Sequence, residues 1–151
     1  KEPLLLMTGR PSSKPPSDVE VRPLVADDLE ACAVLCASVH GFERTGELAD
    51  ALKLFAPIVA MRRGRVTAYA STATFWPLNH GVAETEADMR ALLLGAANLA
   101  SQPLAFLLPV RQADFFRWCL PEGMQVVKPM TLMVSGRYRE PVGCYFVSVL
   151  Y

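Results

Sequence analysis

The sequence predicts a mixed α/β domain, with helices laid on a largely antiparallel sheet. Three observations predict it. After an opening strand, segments of strand-like and helix-like pattern follow in the order β, α, α, β, β, β, α, β, α, β, β. A charged, glycine-centred turn, Arg62-Arg63-Gly64-Arg65, joins two runs of β-forming residues as a hairpin. Hydrophobic residues make up 52% of the 151 and charged residues only 20%, which gives a single core of ordinary domain size and excludes disorder.

The first segment, Leu4-Leu-Leu-Met-Thr-Gly-Arg10, is an apolar run closed by a polar residue, a glycine and an arginine, and reads as a strand entering a turn. The phrase returns as Met130-Thr-Leu-Met-Val-Ser-Gly-Arg137. The chain opens on Lys1 rather than Met, so the repeat raises the expectation that residues 1–10 are a strand left from a preceding repeat. Residues 11–18, rich in proline and serine, then form a linker, and 19–151 form the domain proper.

Val19 to Pro23 alternates apolar and polar residues and predicts a strand that proline ends. Asp27 or Asp28 caps a helix carrying Leu29, Cys32, Ala33, Leu35, Cys36 and Val39 on one face, and Gly41 stops it. A second helix is expected from Thr45 to Phe55, stopped by Pro57. The hairpin arms are Ile58 to Met61 and Val66 to Phe75, the latter long enough to sit centrally in a sheet. A short strand at Gly81 to Ala83 leads to a helix from Glu86 to Ala100, with Met89, Leu92, Leu93 and Ala96 at helical spacing. Leu104 to Val110 reads as a buried strand, Gln112 to Leu120 as a short aromatic helix with Phe115, Phe116 and Trp118 as core, and Met124 to Val134 and Val142 to Leu150 as the last strands.

The 15 basic residues balance the 15 acidic ones. No bulk charge therefore draws the chain to nucleic acid or to anionic membranes. No apolar run is long enough to span a bilayer, Lys1 to Met7 is too short for a signal peptide, and the cytoplasm is the expected location. Cys32, Cys36, Cys119 and Cys144 are too sparse for a disulfide scaffold and lack a metal-ligand pattern, so they read as buried thiols with no metal.

From Val19 onward, this order resembles the GCN5-related N-acetyltransferase (GNAT) family. The resemblance rests on the strand ending Val21-Arg-Pro23 with its Asp27-Asp28 helix start, the hairpin around Gly64, the Ala91-Leu-Leu93 stretch, and Glu122-Gly-Met124 leading into Met130-Thr-Leu-Met133. It implies acyl transfer from acetyl-CoA to an amine, either a small molecule or a protein amino group. It also implies a cofactor held where two neighbouring strands splay apart, with its pyrophosphate on the N–H groups of a glycine-rich turn opening the third helix. By that alignment Ala87, Asp88, Met89 and Arg90 occupy the pyrophosphate turn, and Arg111 and Gln112 the cleft wall. Glu84 and His80 become the candidate general bases, and Cys119, beside Trp118, falls where the proton-donating Tyr usually lies.

The turn itself departs from the family pattern. It has no glycine, and Glu84, Glu86 and Asp88 stand where an anion is to land. Thr85 and Asp88 match a capping box that uses the same N–H donors. Two readings follow: an N-acetyltransferase with a weakened cofactor loop, or a non-catalytic GNAT-like domain that supports an upstream catalytic domain or binds a partner or ligand. A homodimer joined through edge strands, using the apolar stretch Val142 to Tyr151, is a further expectation.

Overall fold

A computed structural model describes residues 1–149, and Leu150 and Tyr151 lie outside the described residues. The elements are β1 (Glu2–Gly9), β2 (Val19–Pro23), α1 (Leu29–His40), α2 (Thr45–Leu54), β3 (Ile58–Arg62), β4 (Arg65–Ala70), β5 (Gly81–Ala83), α3 (Glu86–Leu99), β6 (Leu104–Pro109), α4 (Ala113–Cys119), β7 (Met124–Leu132) and β8 (Cys144–Phe146). Among the described residues the fold is mixed α+β, with four α-helices and two antiparallel sheets. One sheet runs β2-β3-β4-β5-β8 and the other β6-β1-β7.

Side-chain size sorts the two faces of the larger sheet. Alternate residues of a strand point to opposite faces, so in β4 Ala68 and Ala70 face α3 and Tyr69 faces α1, while the register shift opposite Ala60 and Met61 turns Val66 to the α1 side as well. Ala60 and Ala83 continue the small face, Val59 and Val82 the large one. The alanine floor lets α3 settle close to the sheet, so that Met89 through Ala97 are buried along the helix apart from the half-buried Arg90. Cys32, Leu35, Cys36 and Val39 of α1 cover the other face, at the spacing the sequence predicts.

The opening strand is not peripheral. β1 lies between β6 and β7, with Leu4 opposite both Pro109 and Met130. The strands that carry the two similar phrases are thus antiparallel neighbours in one sheet, and the phrases themselves meet at Leu4 and Met130. Leu5 and Met7 face the α3 core, while Leu4 and Leu6 join Leu107 in a separate cluster beneath Trp76. The linker after it is fastened: the Glu122 carboxylate accepts from the Ser13 hydroxyl (2.7 Å) and from the Ser12 and Ser13 N–H groups, and these bonds hold the Glu122 carboxyl below its usual range. Pro129 is tolerated in β7 because that strand is an edge.

Three expectations need correction. The expected strand Val66 to Phe75 ends at Ala70. The Ser71 hydroxyl donates to the Leu78 carbonyl (2.7 Å) and accepts from the His80 N–H (2.8 Å), gathering residues 71–80 into a closed loop. The strand Met124 to Val134 stops at Leu132, and Val142 to Leu150 shortens to Cys144–Phe146, its last residue lying outside the described residues. The Val142 N–H is drawn instead to the Val39 carbonyl at the end of α1 (2.9 Å). The single sheet becomes two, for a reason that bears on the site.

Candidate functional site

The two sheets meet at β8. Its Tyr145 pairs with Val82 of β5, and on the opposite side the Val147 N–H reaches the Leu107 carbonyl of β6 (3.2 Å). β8 therefore occupies the space between β5 and β6. Phe146 fills it. Its ring stacks on Phe106 with centroids 4.1 Å apart and meets Phe115 at 6.0 Å. Opposite it, Gly81 has no side chain, and a Cβ there would stand 2.5 Å from the ring.

Gln112 finishes the closure. Its amide donates to the Tyr145 carbonyl (2.8 Å) and accepts from the Tyr145 N–H (3.2 Å), as a neighbouring strand would. Arg111 turns the other way, to Glu2 (3.0 Å) and Glu140 (2.7 Å). Its pKa is raised, because the two carboxylates outweigh the burial that opposes its charge.

The start of α3 is a capped structural turn. The Thr85 hydroxyl accepts from the Asp88 N–H (3.2 Å) and donates to the Asp88 carboxylate (2.6 Å), as the sequence pattern predicts. Each carboxylate of the turn has an arginine: Glu84 pairs with Arg65, Glu86 with Arg90, and Asp88 with Arg62. Met89 is fully buried, Asp88 nearly so, and Ala87 lies on the surface. Arg90 also lies over the Trp118 ring, 5.4 Å from its centroid. The Asp88 and Met89 N–H groups and the arginines of this turn are committed to the protein itself, three carboxylates crowd it and it has no glycine, so the residues here do not fit a pyrophosphate cradle.

His80 is fully enclosed. An arginine can only donate, so the Arg44 guanidinium 2.8 Å away makes Nδ1 the acceptor. The ring proton then sits on Nε2 and points to the Tyr69 hydroxyl at 3.0 Å, with the Cys36 sulfur 3.8 Å away. Burial, with Arg44 and His40 beside it, holds the His80 pKa well below that of a free imidazole. Its one lone pair is used and it stays neutral.

The three candidate catalytic residues occupy separate surroundings. Glu84 lies at the surface after β5, His80 is packed against α1, and Cys119 ends α4 inside the α3 core. Burial pushes the Cys119 thiol up to about 12. Among the described residues, no hydrogen bond or ion pair joins any two of them.

The sequence reading passed over Arg44, Tyr69 and Tyr145. Arg44 links His80, Glu47 (2.6 Å) and the Ser148 hydroxyl (3.3 Å). Its position just before a helix carries no local signal for that role. Tyr69 had one: it is the sole large residue in Thr67-Ala-Tyr-Ala-Ser71.

No protein-family model matches the chain, and no curated protein matches it significantly. In structure it is similar to a Drosophila protein solved by X-ray crystallography as a structural-genomics target, with a TM-score of 0.53 and 16% identity. That match covers 85% of this chain and 48% of the other, so the chain spans about half the length of the protein it resembles. At that identity the likeness is one of fold alone.

Proposed function

We propose that this chain is a non-catalytic GNAT-like domain, which packs beside or supports a further domain rather than transferring an acyl group itself. The observation that carries the reading is the placement of β8, because Phe146 and Gln112 fill and fasten the gap between β5 and β6 where the resemblance implies a cofactor arm. Burying a phenylalanine side chain is worth roughly 1.5–3 kcal/mol, and an acyl-CoA entering this gap would have to return that energy before making any contact of its own. The committed turn at Thr85–Asp88 and the occupied lone pair of His80 support the same reading. A supporting role beside a second domain fits a fold that covers about half of a longer relative.

The test is calorimetric titration of acetyl-CoA into the full chain, with an acetyl-transfer assay on a panel of amines. No saturable heat at ligand concentrations up to roughly 1 mM, and no transfer, is the expected result. Saturable binding together with transfer abolished in Glu84→Gln would restore the catalytic reading.

A further inference from the structure

A cavity of about 450 Å³ opens on the α1 side of β8. Its walls are the α1–α2 connection, the end of β7 and the 137–141 segment, with Tyr145 to Ser148 completing it. The volume lies within the range of small-molecule sites, and the surface is of the usual kind for one, largely apolar with a few convergent polar groups. Phe42, Leu132, Val134 and Pro141 supply the apolar part.

The charge on this wall has one sign. Arg44, Arg137 and Arg139 line it, and no acidic residue does. The carboxylates nearby are engaged: Glu47 with Arg44, Glu140 with Arg111, and Glu2 with Arg111, Tyr138 and Tyr145. Among the described residues, no carboxylate lies within ion-pair distance of Arg137 or Arg139. The Arg139 guanidinium lies over Gly41, where any Cβ would collide with it. Gly41 has φ 82° and ends α1, so the guanidinium rests at the carbonyl end of that helix, where a cation is favoured.

His40 lines the same wall. The Nε2 of His40 is buried without a hydrogen-bond partner, while its ring packs edge-on against Tyr145 at 5.4 Å. A buried polar atom left unpaired is costly and rare. His80, 5.3 Å away ring to ring, has both nitrogens satisfied, so of the two histidines His40 alone keeps an unpaired buried nitrogen, and that atom is closed off from the cavity.

We propose that this cavity binds a small aromatic carboxylate, its anionic group held by Arg137 and Arg139 and its ring against Phe42 and Val134. The planar guanidinium forks suit a carboxylate. The aromatic and branched residues opposite them suit a flat apolar body. The inference goes beyond the reading above, since it concerns a different face of β8 and needs no acyl-CoA.

The experiment titrates the full chain with 3-phenylpropionate and, separately, with its neutral analogue 3-phenylpropionamide, by calorimetry and by chemical-shift changes. Saturable binding of the acid at concentrations up to roughly 10 mM, with the amide at least about tenfold weaker, is expected. The double variant Arg137→Gln/Arg139→Gln is expected to lose about tenfold or more, and Arg117→Gln, whose residue pairs with Asp114 on α4, to bind as the parent does. Both changed arginines are exposed, and an unchanged melting temperature will show that the variant is folded. Equal affinity for acid and amide, undiminished binding by the double variant, or no saturation of the parent would each overturn the proposal. None of these outcomes depends on whether acetyl-CoA binds.

Discussion

Gly81 and Phe146 face each other across the register of β5 and β8, and the phenyl ring occupies the volume that a side chain at Gly81 would need. The fit is mutual and predicts a coupled response. Gly81→Ala is expected to cost about 1–3 kcal/mol by overpacking, and Phe146→Ala about 3–5 kcal/mol by leaving a cavity against Phe106 and Phe115. The double variant should cost less than the sum, because each change relieves the strain of the other. Urea denaturation of the four proteins measures the coupling, and strict additivity would show that the Phe146 ring does not hold the volume a side chain at Gly81 needs.

All four thiols are free and buried. Burial pushes Cys32 and Cys119 up to about 12 and raises Cys36 and Cys144 as well. Thiolate is the reactive form, so the native protein at pH 8 is expected to leave a thiol-exchange reagent almost unconsumed over minutes, while the unfolded chain titrates all four groups at once. Rapid labelling of one native cysteine would mean that its helix opens readily.

The buried imidazoles make stability depend on pH. Burial lowers His40 to about 4, with Arg44 adding to the effect, and holds His80 well below the free value. The unfolded chain binds protons at these histidines near pH 6.5 and the native state does not. The stabilisation is therefore complete above about pH 6.5 and is lost as the pH falls from there toward 4. Tyr69, Cys36 and Tyr145 pack around the pair, and burial raises each of them, away from that window. Thermal melts at pH 7.5 and pH 5 should show the drop, and His40→Phe should make it shallower.

A second pH step is expected lower down. Arg22 grips Asp28 with two bonds (2.7 and 2.9 Å), and the Val25 N–H donates to the same carboxylate (2.9 Å). Arg22 first, and then that backbone bond, hold the carboxyl below its ordinary range against the burial that opposes its charge. The contribution is present above about pH 4 and lost as the pH falls through the lowered value. Asp28→Asn should cost about 1–3 kcal/mol at pH 7 and remove this lower step alone.

Periodicity carried most of the fold because local pattern records which face of each element is buried. The helix face of Cys32, Leu35, Cys36 and Val39 and the Thr85–Asp88 cap were both legible for that reason. The end of β4 was not, since Ser71 and Thr72 look like strand formers until Ser71 meets Leu78 and His80 in space. The insertion of β1 between β6 and β7 and of β8 between β5 and β6 was equally hidden, because strand order is a matter of partners and not of pattern. Gln112 illustrates the limit for the site: a glutamine before a short helix reads as an ordinary helix start or as part of a cleft wall, and only the position of Tyr145 turns it into a clasp.

Glu2 provides the last expectation, because one carboxylate joins three parts of the chain. It accepts from the Tyr138 hydroxyl (2.6 Å) and the Tyr145 hydroxyl (3.2 Å) and pairs with Arg111 (3.0 Å), so the first strand, the 133–143 segment, β8 and the approach to α4 meet at one charge. Burial first, and then the carboxylate together with the Tyr138 hydroxyl in the case of Tyr145, raises the pKa of both tyrosines, which keeps each hydroxyl a donor. Glu2→Gln retains the shape but gives up the charge, and should cost about 1–3 kcal/mol. Tyr138→Phe removes a single donor and should cost about 0.5–1.5 kcal/mol. The two effects should not add, since the tyrosine has nothing to donate to at full strength once the carboxylate is gone. Hydrogen exchange localises the consequence: in either variant, amides of residues 133–143 are expected to exchange faster while those in the middle of α3, which share no partner with Glu2, keep their protection. Faster exchange along α3 as well would mean that this charge holds the whole fold together and not the one segment.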